Sequence, residues 1–290
     1  MNSKRSTRKH DDLVYDVGMH TGQDTDYYLA KGFRVVAFEA DPELAAQCRE
    51  RFASAIAAQR LTIVEGAIVE PSPDGTPPGK VKLYRNTKYS VWSTVSSDWA
   101  QRNEIRGTLS EVVEISAVNF AESLERHGIP HYMKIDIEGM DTLCLRALRE
   151  FAVRPDYVSI ESEKIVFGKL RAEIDLLTEL GYTDFEAVQQ QGIGRQREPQ
   201  PSRERSFAGY RFREGSSGLF GSDLPDQWKT GAEIVELYGR IFRQYALFGD
   251  SGKLTRHLAG KILAKGLSLL QGRPMPGWYD THARHGCVRA

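Results

Sequence analysis

The sequence lacks any apolar run approaching the roughly 18 residues that would span a bilayer, so no transmembrane helix is expected. Cysteine is scarce: Cys48, Cys144 and Cys287 are odd in number, widely spaced and form no CxxC pair. That fits a reducing cytosol better than a disulfide framework. An excess of either charge is also missing, because 39 Lys and Arg stand against 39 Asp and Glu. Neutrality removes the simplest argument for a nucleic-acid partner, and none is expected. The basic start, MNSKRSTRKHDD, leads into no apolar segment of signal-peptide type, so the expected location is cytoplasmic. What is present is 290 residues, 40% hydrophobic and 27% charged, an ordinary globular composition with no visible internal repeat. A chain of this length buries roughly 75% of its unfolded surface around its own core.

Periodicity supplies the architecture. Leu13 to Val17 is a short apolar run broken at Gly18, which reads as a buried strand. A helix is expected from about Gly22 to Lys31, then a second strand from Phe33 to Phe38. Asp41-Pro42-Glu43 supplies an N-cap, a proline at the first helical position and an acid in the first turn. Behind it Leu44, Cys48, Phe52 and Ile56 recur every four residues and mark a buried helix face. Strands follow at 61–64, 81–84 and 112–115, with a turn-rich loop at 71–79 between the first two. A helix begins at Asn119, with Glu122 three residues on as in a capping box. Then come a strand at 132–137, a helix at 141–151, a strand at 157–160 and a helix ending at Gly181. Segments 182–188 and 207–212 are expected to pair as a terminal antiparallel hairpin. The 189–206 stretch between them, arginine-rich and without apolar periodicity, reads as a mobile loop: a solvated insertion or a basic lid. Strands alternating with helices define an α/β fold, a doubly wound and mostly parallel sheet. Residues 1–214 are expected to form it, and 215–290 a helical extension packed on it or on a partner.

Ligands of such sheets bind at the carboxyl ends of the strands. The first strand ends in Asp16-Val17-Gly18-Met19-His20-Thr21-Gly22, where Gly18 and Gly22 permit a sharp turn and close approach of backbone to ligand. The dinucleotide fingerprint would need glycine at His20, and a pyrophosphate would be repelled by Asp16. A cationic or zwitterionic ligand such as S-adenosylmethionine tolerates that acid. Glu39 closes the second strand 23 residues after Asp16, near the spacing of about 20 expected of a ribose-binding acid. An ionised carboxylate accepts hydrogen bonds from both ribose hydroxyls. By the same topology, adenine contacts fall at Gly66 and Ala67 after the third strand.

Three blocks in order, VYDVGMHTGQDTDYYL, VVAFEADP and YMKIDIEGMDTLCLRAL, resemble the signature blocks of the FkbM-type methyltransferases. The similarity covers about residues 12–165, with weaker likeness in the closing WYDTHA. It implies a Rossmann-like fold, S-adenosylmethionine as cofactor and O-methylation of sugar or natural-product hydroxyls. It carries over Asp16, Gly18 and Gly22 as cofactor-loop residues, Glu39 as the ribose acid, and Asp136 and Glu138 as the acids of the KIDIEG block. Met19-His20 and Ala40-Asp41 depart from the family pattern, and Asp141 falls one residue past its last acid.

Methyl transfer from a sulfonium requires a positioned acceptor oxygen and a group to take its proton. Lys134, Asp136 and Glu138 alternate along one strand and so share a face. Asp136 is the leading catalytic candidate, followed by Glu138 and His20, with Lys134 completing the cluster. Glu161 and Glu163 end the next strand, so four carboxylates are expected to converge. A divalent cation on Asp136, Glu138 and Glu161 is the competing reading, and with it a metal-dependent nucleotide-sugar enzyme. A non-catalytic binding module on the same fold is the other alternative. Residues 90–99, rich in hydroxyls and tryptophan, either face a sugar or anchor a partly buried loop. The basic amphipathic stretch 253–270 suits a membrane surface, its own domain or a partner subunit, including a second copy in a homodimer.

Overall fold

The computed structural model describes residues 4–70, 79–105, 107–137, 139–213, 215–248 and 277–288. Most of the 71–79 loop, Glu138 and the amphipathic stretch 253–270 lie outside the described residues. In chain order the elements are β1 (Lys9–Val17), α1 (Gln23–Ala30), β2 (Arg34–Glu39), α2 (Pro42–Arg51), α3 (Ala53–Ala57), β3 (Leu61–Glu65), β4 (Ala67–Ile68), β5 (Lys80–Asn86) and α4 (Ser97–Ile105). They continue with β6 (Ser110–Val118), α5 (Phe120–His127), β7 (Ile129–Ile135), α6 (Thr142–Leu148), β8 (Tyr157–Glu161), α7 (Phe167–Glu179), β9 (Tyr182–Gln189), α8 (Gly231–Phe248) and β10 (Tyr279–His285).

The main sheet has the order β3-β2-β1-β7-β8-β10-β9. The neighbours from β3 to β8 run parallel, and β10 is antiparallel to both β8 and β9. Strand alternation gives the sheet two apolar faces. On one, Tyr15, Val17, Met133, Ile135 and Ile160 pack against α5, α6, α7 and α8. On the other, Val14, Ala37 and Tyr132 pack against α1, α2 and the side chains of Ile193, Phe212 and Phe220. The chain between β9 and α8, which holds no α-helix among the described residues, therefore covers part of that face. A second sheet, β4-β6-β5, is inserted after β3 around Ala67, Leu83 and Ile115.

Two expectations need correction. The partner of β9 is β10, not residues 207–212. In that segment Gly209 takes a left-handed φ of 61°, and the backbone N–H groups of Ala208 and Tyr210 both donate to Glu198 Oε2 (3.1 Å each). Donors held by a carboxylate are not free for a ladder. The boundary at residue 214 also fails to separate a sheet domain from a helical extension, since β10 lies inside the sheet and α8 packs on α7 and β9. No helix among the described residues is long and apolar enough to cross a membrane.

The 189–206 segment is pinned, against either reading of it as a mobile loop. Lys31 is fully buried and its ammonium donates to Glu198 (3.0 Å), Asp223 (2.7 Å) and Ser202 (2.8 Å), which uses all three of its protons. His131 bridges Asp156 Oδ2 and Glu204 Oε2, each at 2.9 Å. These anchors stand towards the amino ends of the strands, away from the carboxyl ends where ligands of such sheets bind.

Burial works against a charge on His131, but its hydrogen bonds to Asp156 and Glu204 outweigh it and raise the imidazole to about 9. A folded value above the unfolded one means stabilisation fully present below about pH 6.5 and lost as pH rises through about 9. Denaturant unfolding should therefore show roughly 2–3 kcal/mol less stability at pH 10 than at pH 6, and a His131→Gln variant should lack most of that difference. Equal pH slopes in the two proteins would contradict the bridge.

Candidate active site

The carboxyl end of β1 is shaped by one turn. Gly18 has φ +88°, and a Cβ there would lie 1.9 Å from the carbonyl oxygen of Asp136. The N–H groups of Gly18 and Met19 both donate to Phe38 O, at 3.1 and 2.9 Å, which ties the turn to β2. Gly22, also left-handed, caps α1 and abuts the Phe52 ring. His20 between them is itself left-handed at φ 50°.

Two buried acids face this turn. Glu39 accepts from His20 N (2.7 Å) and Asp41 N (2.8 Å), one on each oxygen. Burial raises its carboxyl to about 7 despite those two donors. Asp16, wholly buried, accepts from Thr25 Oγ1 (2.6 Å) through Oδ2, while Oδ1 makes no hydrogen bond and faces Lys134 Nζ at 3.5 Å.

Lys134 is the cation of the site. Its ammonium donates to Gly18 O (2.8 Å) and lies 3.9 Å from Asp24 and 3.7 Å from Asp136. Burial alone would strip its proton; the surrounding Asp16, Asp136 and Asp24 hold it charged far above the ordinary lysine value. Asp24, in the first turn of α1, also accepts from Ser217 N and Oγ, both 2.8 Å. Burial lifts it to about 6, with Lys134 opposing.

A cleft opens above these groups. Gly18, His20, Glu39, Gly66, Ala67 and Asp136 all line it. Its far wall is the second sheet with the turn that follows β5, through Leu83, Ser90, Ser93, Thr94 and Val95. Gly66 lets β6 come close, since a Cβ there would meet Ser116 O at 2.6 Å. Arg85 on β5 reaches Asp41 and Glu43 at the start of α2 (2.8 and 2.7 Å), and Ser90 Oγ meets His20 Nε2 at 2.8 Å. Of the 90–99 stretch, Ser90, Ser93 and Thr94 line the cleft, while Trp99 packs against Gly139. Burial and Lys134 lower the His20 imidazole, which leaves it neutral at physiological pH.

Nine of the ten catalytic and cofactor candidates lie at this end of the sheet, and the tenth, Glu138, lies outside the described residues. Asp136 stands half-exposed at the edge of the cleft, with a side chain 45% accessible. The expected convergence of four carboxylates is only partly met. Glu163 turns away and accepts from the N–H groups of Ile165 and Val166 at the start of α7, and Glu161 pairs with Lys164 at 2.8 Å. Asp141 accepts from Ile137 N and Gly139 N and so holds the turn after β7. Among the described residues no three His, Cys, Asp or Glu side chains are grouped to hold a metal ion. The sequence reading missed Asp24, Arg85 and Asp280. The only signal for Asp24 was an acid in the first turn of a helix, which ordinarily reads as a favourable dipole contact.

A doubly wound sheet with its cleft at this end belongs to the Rossmann-like class of α/β folds. Residues 16–183, more than half of the chain, match the profile described as the methyltransferase FkbM domain. The protein belongs to the FkbM methyltransferase family. A probable ribosomal RNA small subunit methyltransferase A of Haloarcula marismortui is 49% identical over 57 residues, which span 20% of this chain and 20% of that protein. Among solved structures, the FkbM methyltransferase of Methylobacillus flagellatus KT is 17% identical over 59% of this chain and 38% of its own, with a TM-score of 0.34. An O-methyltransferase of Bacillus cereus in complex with SAH is 14% identical, covering 61% and 67%, also at 0.34. No residue role follows from likeness at that level.

Because Gly18 combines a left-handed backbone with contact to the Asp136 carbonyl, Gly18→Ala should cost at least about 3 kcal/mol in denaturant unfolding, or prevent soluble expression. A variant within about 0.5 kcal/mol of wild type would show that the turn is not packed as described.

Proposed function

We propose that the protein is an S-adenosylmethionine-dependent methyltransferase that O-methylates a hydroxyl of a carbohydrate or glycosylated metabolite. The observation that carries the reading is Glu39. Each of its oxygens is fixed by one backbone N–H, and a carboxylate offers about four acceptor positions, so two remain directed to a ribose diol. The residues present fit the cofactor. Gly18 and Glu39 line the cleft side by side, and Asp16 Oδ1 beneath them is a buried acceptor without a hydrogen bond. When bound, S-adenosylmethionine supplies an electrophilic methyl group on a sulfonium.

The chain's own residues divide the remaining work. Glu39 holds the ribose, Gly66 and Ala67 lie along the adenine, and Gly18 and Gly22 admit the backbone to close range. Lys134 fixes the Gly18 carbonyl and keeps Asp16 and Asp24 in a balanced charge environment. Asp136 accepts the acceptor's proton from the edge of the cleft, and His20, neutral and tied to Ser90, orients that side. The ribosomal acceptor named for the Haloarcula protein is not carried over, since the alignment spans a fifth of it.

Binding should depend on pH through Glu39. Its carboxyl ionises only as pH rises through about 7, and the ionised form is the better acceptor for hydroxyls. Calorimetric titration with S-adenosylhomocysteine should give an affinity about 5–10-fold tighter at pH 8 than at pH 5.5. Glu39→Gln should weaken binding at pH 8 and remove most of that dependence. No heat of binding at millimolar ligand, or an unchanged affinity in Glu39→Gln, would refute the reading.

A further inference from the structure

The chain between β9 and α8 sorts its charges by sign. Arg195, Arg197, Arg203, Arg205, Arg211 and Arg213 are all exposed, and residues 195–213 contain no lysine. The acids of the same stretch, Glu198 and Glu204, are buried on Lys31 and His131. Residues 205–215 run along α1 from its end to its start. Ser206 N donates to Lys31 O (3.3 Å) past the helix end, while Tyr210 Oη donates to Gln23 O (3.3 Å) at its first residue. A Cβ on Gly215 would meet Gln23 Nε2 at 3.2 Å. Eight helical residues span about 12 Å. Over that length Phe207, Gly209, Arg211 and Arg213 are exposed, and Ala208, Tyr210 and Phe212 between them are the more buried.

Both ends of this run gather further arginine. At the far end Arg205 lies over the Phe33 ring, 5.1 Å from its centroid, and Arg60 donates to Phe33 O (3.5 Å). At the near end Arg51 pairs with Asp26 and donates to Thr21 O (2.6 Å), and the charges of Arg51 and Arg213 both reach Tyr210. Thr21 and Gln23 stand within three residues of His20, which lines the cleft. Arg60, Arg205, Arg211 and Arg213 make no ion pair with a carboxylate among the described residues, whereas Arg203 is paired with Asp226. A surface kept only for solubility intersperses both signs, and like charges held together repel. Arginine rather than lysine presents a planar fork that pairs with carboxylate or phosphate through two hydrogen bonds. The run is already held in place by Glu198 and Asp24, so little ordering would oppose binding.

We infer that this arginine track docks an anionic glycan, whose carboxylate or phosphate groups pair with Arg205, Arg211 and Arg213 while a hydroxyl further along reaches Asp136; the inference rests on the carbohydrate methyltransferase reading. A single-stranded nucleic acid would need successive exposed rings on which to stack its bases. Among the described residues of the run only Phe207 offers one, at 47% exposure. Tyr210 and Phe212 pack instead on the Tyr27 ring, with centroids 5.0 and 4.8 Å apart. Charge without stacking platforms suits an acidic sugar polymer.

The test uses the full chain loaded with S-adenosylhomocysteine and labelled glycans in fluorescence polarisation. The probes are oligogalacturonate for carboxylates, a phosphorylated mannan fragment for phosphates, and neutral dextran of similar length. At about 50 mM salt one anionic probe should bind at least about tenfold more tightly than dextran, and about 300 mM salt should remove most of that preference. The anion that binds identifies the group the track takes. Arg211→Gln with Arg213→Gln should weaken that probe at least about fivefold, melt within about 2 °C of wild type and bind S-adenosylhomocysteine within about twofold. Arg240→Gln with Arg243→Gln, an equal loss of charge from exposed positions on α8, should leave probe binding unchanged. Anionic probes no tighter than dextran would overturn the inference, as would equal losses in the two double variants or no loss in the first. Tighter binding of a single-stranded RNA of equal charge would overturn it too, by making the track a nucleic-acid surface. Failure of wild type to bind S-adenosylhomocysteine would instead bring down the methyltransferase reading, and this inference with it.

Discussion

The buried ammonium of Lys134 sits where three segments meet. It holds the carbonyl of Gly18 from the β1 turn, stands within 3.5 to 3.9 Å of carboxylates from β1, β7 and α1, and is itself 5% exposed. Removing it would leave Asp16 and Asp24 as like charges in a dry site, a situation that costs about 3–5 kcal/mol when one partner of a buried pair is lost. The shape of the glycine turn, the approach of β7 to β1 and the ionisation of Asp24 all follow from that one cation. Through Asp24 it also fixes Ser217, and so the irregular chain covering α1.

A second buried lysine organises the opposite end of the sheet. Lys31 collects Glu198, Ser202 and Asp223, while His131 collects Asp156 and Glu204. Together they turn a stretch with no apolar periodicity into part of the wall of the sheet. Polar anchoring replaces amphipathic packing there, which explains how chain without an α-helix can cover Tyr132 and Phe33. The overall neutrality of 39 against 39 is thus an average over unlike regions. The carboxyl end is rich in acids around one lysine, and the amino end is stitched by cation–carboxylate bridges.

Much of this was legible in the sequence. The β-α alternation through Glu179, the glycine turn and the acid at Glu39 follow from local pattern, and each occupies the expected place. Two features were not legible, for physical reasons. Strand β10 carries Asp280, Thr281 and His282 in its interior, so it shows neither a continuous apolar run nor an apolar/polar alternation. Segment 207–212 does alternate, yet its donors are taken by Glu198, a residue whose burial only the tertiary structure creates. The same limit applies to the site. Periodicity placed Asp136 and Lys134 on one strand face, but Asp24 and Asp280 reach the cluster from a helix end and from the last strand, across 256 residues of sequence. Glu163, which ends a strand like Glu161, was instead drawn to the unsatisfied N–H groups of a helix start.

The central claim is that the cleft between Glu39 and the second sheet takes an adenosyl group. A crystal structure of the protein with S-adenosylhomocysteine tests it most directly. The account predicts the ribose hydroxyls on the Glu39 carboxylate and the base between Ala67 and the 90–95 turn, with no rearrangement of the Gly18–Gly22 turn. Ligand bound elsewhere, or a ribose that leaves Glu39 without contact, would contradict it.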